Sequence, residues 1–149
     1  MLLVMLPSLP RQAGREEVLR RTGTALGVVA MVRFVDTWGA PRDGVRRHLG
    51  TDRFAARGTA VVASVGGSVR HASGGRAGLA YYLDGDDGHT YYGAHLDSLE
   101  PVGRIERGGT IGTVGSTGSA RGTSPHLHFE IKPEGGGPVN PYFTLERWC

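Results

Sequence analysis

An all-β, antiparallel fold is what this sequence predicts, and three observations predict it. Glycine is abundant, 25 of 149 residues, and the glycines are scattered between short apolar runs. Those runs are rich in valine and tyrosine, which fit a pleated, half-buried surface. The stretch Asp84-Gly85-Asp86-Asp87-Gly88 separates two of the runs with a composition suited to a hairpin turn. A chain of this length fits one domain with a real hydrophobic core, and 39% apolar residues is ordinary for a globular protein.

Taken in order, residues 1–13 carry two prolines and no hydrophobic period, and are expected to form a flexible arm. Residues 14–23, GREEVLRRTG, predict one short helix, with Glu16 and Glu17 near its favourable N-terminal end and Gly23 as its stop. A strand-like pattern begins at VVAMVRFVDTW (28–38). It continues through TAVVASV (59–65), SVRH (68–71), GLAYYLDG (78–85) and HTYYGAHL (89–96). Thr110–Val114 predicts another strand, and a glycine- and serine-rich loop then leads into SPHLHFEI (124–131). The C-terminal GGGPVNPYFTLERWC reads as a turn followed by a closing extended segment. The expected division is an arm with a short helix over 1–27 and a β domain over 28–149.

Net charge is +3, almost all of it arginine, since Lys132 is the only lysine. The balance leans mildly towards polyanionic surroundings, such as a cell envelope or nucleic acid, but no run of basic residues points to either. Cys149 stands alone, so no intrachain disulfide forms. The opening MLLVMLPSLPRQAG holds an apolar run too short to span a membrane, and no stable membrane insertion is expected. It also lacks the basic n-region and full apolar core of a secretory signal, which implies a cytoplasmic chain or a fragment of a longer export sequence. Nothing in the residues bears on oligomeric state.

The chemistry concentrates in two stretches. In an extended strand over SPHLHFEI, His126, His128 and Glu130 share one face, and Leu127, Phe129 and Ile131 share the other. The apolar face suits a core, which leaves the histidine face for solvent, a polar partner or a metal. In RRHLGTDRFA (46–55), His48 and Asp52 stand four apart, with Gly50 allowing a tight backbone path. With His128 they supply two imidazoles and one carboxylate, a set that suits zinc and leaves a fourth position for water. His126 lies beside His128, and His95 ends a different predicted strand; both are placed to act next to a metal by moving protons or stabilising an oxyanion.

Plainer roles account for other residues. The loop over 115–122 lacks the Lys-Ser/Thr ending of a phosphate-binding loop and reads as a connection. His71 and His89 sit in polar, turn-like surroundings and are expected at the surface. Glu130 reads as a structural carboxylate that orients a histidine. The pairs Tyr81-Tyr82 and Tyr91-Tyr92 read as strand packing and groove wall.

The order His-x-x-x-Asp, then His-Leu after a tyrosine-rich strand, then IGTVGSTGSARGTSPHLHFEI, resembles the lysostaphin-like (LytM-type) zinc metalloendopeptidases. The similarity covers about residues 34–143. It implies a small antiparallel β fold of the duplicated hybrid motif, barrel-sandwich type, with a groove across its sheet. It also implies one zinc ion per chain and hydrolysis of peptide bonds in bacterial peptidoglycan, outside the cytoplasm. Glycine cross-bridges and D-alanine-containing cross-links are both substrates within that family. Carried over by position, His48, Asp52 and His128 resemble the zinc ligands, and His95 and His126 resemble the two catalytic histidines. Because both ligand histidines bind metal only when neutral, activity is expected to fall below about pH 6, and a profile flat down to about pH 4 contradicts this.

Two other functions fit the same features less well. Degenerate members of the family act as non-catalytic activators of a cell-wall amidase, but they characteristically lose zinc ligands, and all five residues stand here. A phosphocarrier with paired histidines has no use for Asp52.

Overall fold

The structure, a computed structural model, describes residues 34–148. Eight strands make up the fold: β1 (Thr51–Phe54), β2 (Ala60–Val62), β3 (Gly67–His71), β4 (Leu79–Gly85), β5 (Thr90–Leu99), β6 (Gly103–Ile105), β7 (Thr110–Val114) and β8 (His126–Lys132). Among the described residues one α-helix, α1 (Tyr142–Trp148), follows the strands. Every strand pairing is antiparallel. The main order is β1-β8-β5-β4-β3-β6, with β7 also on β5 and β2 on β7. The all-β expectation therefore holds.

β5 organises the sheet. Its first half, Thr90–Ala94, pairs with β8, and its second half, Leu96–Leu99, pairs with β7. β4 runs along its other side, and that ladder slips register where β5 changes partner. His95 sits at the changeover with φ of 69°, a left-handed conformation that costs a non-glycine residue energy and re-aims its side chain.

Alternation along the strands decides what is buried. Tyr81 and Leu83 of β4, Tyr91 of β5, and Leu127, Phe129 and Ile131 of β8 all point into one core. Val61, Ile111 and Val114 extend it under β2 and β7. Gly93 faces Tyr81 across the β4–β5 ladder, and the tyrosine ring occupies the space a Cβ would take there.

Two expectations change, and a third is not reached. The described part of the 28–38 run, residues 34–38, forms no strand and turns at Trp38 instead. The predicted helix over 14–23 and the arm before it lie outside the described residues. The C-terminal segment is helical, not extended. Asn140 Oδ1 accepts the Tyr142 N–H at 2.9 Å, and Pro141 follows it with its backbone angle already set for a helix. Leu145 N–H then donates to the Pro141 carbonyl, and its fully buried side chain docks α1 on the core. Phe34 packs edge-on against Tyr142, and Asn140 donates to Asp36, so the helix start is tied to the first described residues.

Candidate metal centre and cleft

β8 presents its two faces as the alternation requires. Leu127, Phe129 and Ile131 are at most 1% exposed in the core. His126, His128 and Glu130 face the opposite way, into a cleft of about 730 Å³ that they help to line. The β1–β8 register sets Asp52 directly opposite His128. His48 arrives from the loop before β1, which is held by Gly39 N–H donating to the His48 carbonyl and His48 N–H donating to the Ala40 carbonyl. Gly50 lets that loop cross β8: a Cβ there would meet the Phe129 carbonyl oxygen at 2.5 Å and the His128 ring at 2.8 Å.

Three atoms converge. His48 Nε2 lies 2.9 Å from His128 Nδ1 and 3.1 Å from Asp52 Oδ1, and His128 Nδ1 lies 3.0 Å from the same oxygen. Among the described residues this is the cluster of three ligand-type side chains that could hold a metal ion. The remaining ring nitrogens show why these three point inward. His48 Nδ1–H donates to the Thr37 carbonyl at 3.0 Å, and His128 Nε2–H donates to Glu130 Oε1 at 3.0 Å. Each neutral ring is thereby fixed in the tautomer that turns a lone pair to the centre. Arg42 Nη2 donates to Asp52 Oδ2 at 3.0 Å, which leaves Oδ1 for the cluster.

The donor set fits zinc. Two imidazole nitrogens and a carboxylate oxygen bound at about 2.0–2.2 Å stand roughly 3.3 Å apart in a tetrahedral shell. The observed triangle is slightly tighter and needs only a small outward movement. Charge tells the same story. Burial pushes the Asp52 carboxyl up, but hydrogen bonds from His128 and His48 outweigh it and hold it well below the usual carboxylate range. Burial pushes His128 down, but its bonds to Asp52 and Glu130 outweigh that and raise it. Glu130 is lowered despite burial, through His128 and Lys132. The shifts describe a site that favours positive charge beside its carboxylates, which suits a cation-binding centre.

His95 and His126 flank this triangle. Their rings are 5.1 Å apart between centroids, and His126 Nε2 is 4.0 Å from Asp52 Oδ1. Each Nδ1–H donates to a backbone carbonyl, that of Thr117 for His95 and that of Ser124 for His126. Each Nε2 is left without a proton when the ring is neutral. His95 is pushed down to about 4, first by burial and then by the neighbouring imidazoles. It is not at a strand end, as the sequence suggested, but in the middle of β5, with its N–H donating to the Ala77 carbonyl.

The structure thus brings all five singled-out residues to one cleft. His71 and His89 stay outside it, bonded to Glu100 and Glu134. The sequence reads Glu130 as orienting a histidine, and the hydrogen bond to Nε2 makes that histidine His128. Tyr81 and Tyr91 are core, whereas Tyr92 lines the cleft edge-on to His128. Arg42 and Thr37 are the residues that sequence reasoning missed. Neither belongs to a spacing pattern, because their partners lie 10 and 11 residues away across a turn.

The fold and site together give an antiparallel β sheet that carries a His-Asp-His cluster, able to hold a metal ion, in an open cleft. The chain belongs to peptidase family M23, whose profile matches residues 46–141. It is 41% identical over 101 residues to the DD-carboxypeptidase/endopeptidase Mpg of Neisseria meningitidis, across 64% of this chain and 22% of that protein. It is 36% identical over 94 residues to the peptidoglycan DD-endopeptidase ShyC of Vibrio cholerae, across 61% of this chain and 21% of that one. The chain therefore spans about a fifth of the length of these relatives. Among solved structures, it superposes on the catalytic domain of lysostaphin from Staphylococcus simulans with a TM-score of 0.65 and 28% identity. That match covers 77% of this chain and 92% of the other. A zinc-containing peptidase from Vibrio cholerae gives a TM-score of 0.64 at 30% identity, over 77% of this chain and 37% of that chain.

Proposed function

We propose that this chain is a zinc-dependent endopeptidase that cuts peptide cross-links of bacterial peptidoglycan outside the cytoplasm. One zinc ion per chain is held by His48, Asp52 and His128, with His95 and His126 as the catalytic histidines. The observation that carries the reading is the triangle of three inward lone pairs, each fixed by a hydrogen bond on its far side. Relatives named as DD-endopeptidases support a D-alanine-containing cross-link over a glycine bridge.

Zinc bound there supplies a Lewis acid for the scissile carbonyl and a water of lowered pKa. The chain's own residues do the rest. Thr37, Glu130 and Arg42 hold the three ligands in their tautomers and orientations. His95 and His126 each offer Nε2 to the cleft, so a neutral ring accepts the proton of the attacking water and a protonated one donates to the oxyanion or the departing amine. The backbone carbonyls of Thr117 and Ser124 keep both rings aimed through that exchange.

The test is incubation of the zinc-loaded protein with purified walls that carry direct D-alanine cross-links and with walls that carry glycine bridges. Released peptides are then sequenced by mass spectrometry. Cleavage at the D-alanine cross-link is expected. Intact walls of both types, from protein that holds zinc, would overturn the reading.

A further inference from the structure

The lips of the cleft carry charge that no carboxylate among the described residues balances. Four arginines line it: Arg42, Arg46, Arg47 and Arg76. Two are tethered, Arg42 to Asp52 and Arg46 to Asp43, each at 3.0 Å. Nearby cations on the sheet are paired too, Lys132 with Glu130 at 3.3 Å and Arg70 with Asp84 at 2.9 Å. Arg47 and Arg76, both exposed, meet no carboxylate among the described residues.

Their backbones are nevertheless well held. Arg47 directly precedes His48, and its bridge to Pro41 closes the loop that delivers that ligand. Arg76 lies in the turn between β3 and β4, where its carbonyl accepts from Ser119 N–H at 2.9 Å, and the next carbonyl, that of Ala77, accepts from His95 N–H. One arginine therefore stands at the His48 end of the histidine cluster and the other at the His95 end. A separate hollow of about 400 Å³, lined by glycines, Ser73, Leu79, Thr117 and Arg121, lies on residues that flank Arg76 in the chain, with no acidic residue in its wall.

We infer that Arg47 and Arg76 receive free carboxylates of the substrate peptide on either side of the bond to be cut. The cleft then selects stem peptides that carry such carboxylates over uncharged oligoglycine. A guanidinium offers a planar fork of donors that matches a carboxylate, and a charge-assisted pair is roughly twice as strong as a neutral hydrogen bond. The uncompensated lip charge also draws an anionic peptide into the cleft before it docks. This inference rests on the peptidase reading and deepens it by naming what the substrate must carry.

The test uses two synthetic cross-linked peptides, identical except that the free carboxylates of one are converted to amides. The zinc-loaded wild type is expected to prefer the carboxylate form in kcat/KM by about tenfold or more. In Arg47→Gln and Arg76→Gln that preference shrinks, and in the double variant it approaches one. Added salt shrinks it in the wild type as well. Anisotropy of the same labelled peptides on His95→Ala reads recognition without turnover. Equal affinity for the two forms, or a preference unchanged in the double variant, overturns the inference. A carboxylate preference in binding, lost in the arginine variants but with no cleavage by the wild type, upholds the recognition while the hydrolase reading falls.

Discussion

The two halves of the centre are built by different means. Asp52, His126 and His128 stand on paired strands, where the β1–β8 register alone sets Asp52 opposite His128. His48 and His95 stand on irregular backbone, one on a loop and one at a left-handed bulge. They are aimed by bonds to the carbonyls of Thr37, Ala77 and Thr117, distant in sequence. Strand pairing gives placement at little local cost. In the irregular half, the left-handed backbone at His95 stores strain that the surrounding bonds must hold, as residues of functional sites often do.

The largest effect falls on the strand half. His128→Ala should reduce peptide hydrolysis to background and lose zinc, while circular dichroism stays that of a β protein. Removal of His95 should separate the halves: His95→Ala keeps its zinc but loses about 10²- to 10⁴-fold in kcat. Wild-type turnover in that variant would remove His95 from the chemistry. Glu130→Ala leaves the ligands in place but frees the His128 ring. A loss of about 10- to 100-fold in zinc affinity is expected, read by chelator competition.

The smallest prediction sharpens the comparison most. At His95, with φ of 69°, glycine should be more stable than alanine by about 1 kcal/mol. At His126, in regular strand, the order reverses by roughly 0.5–1 kcal/mol. Thermal denaturation of the four variants decides it, and alanine more stable than glycine at both positions would mean that the bulge carries no strain.

The strand half was also the legible half. Period-2 alternation over HLHFEI assigns both faces of β8 with no structure in hand, and Glu130 follows as the partner of His128. Placing Asp52 against that face needed a strand over Thr51–Phe54, which the short run TDRF does not announce. His95 was recognisable by its motif, but its bulge was not, because the change of partner along β5 depends on where β7 and β8 end. Arg42 and Thr37 leave no periodic trace, since each acts across a turn. The C-terminal helix was written in Asn140-Pro141, a capping residue followed by a helix-starting proline. The aromatic pair after it reads as strand, and only the docking of Leu145 in the core decides for helix.

Metal content tests the central claim most directly. Inductively coupled plasma mass spectrometry of the protein, purified with zinc and freed of loosely held ions, should find about one zinc per wild-type chain and almost none in Asp52→Ala. A wild type without zinc, or an Asp52→Ala variant that keeps a full equivalent, would contradict a centre made of His48, Asp52 and His128.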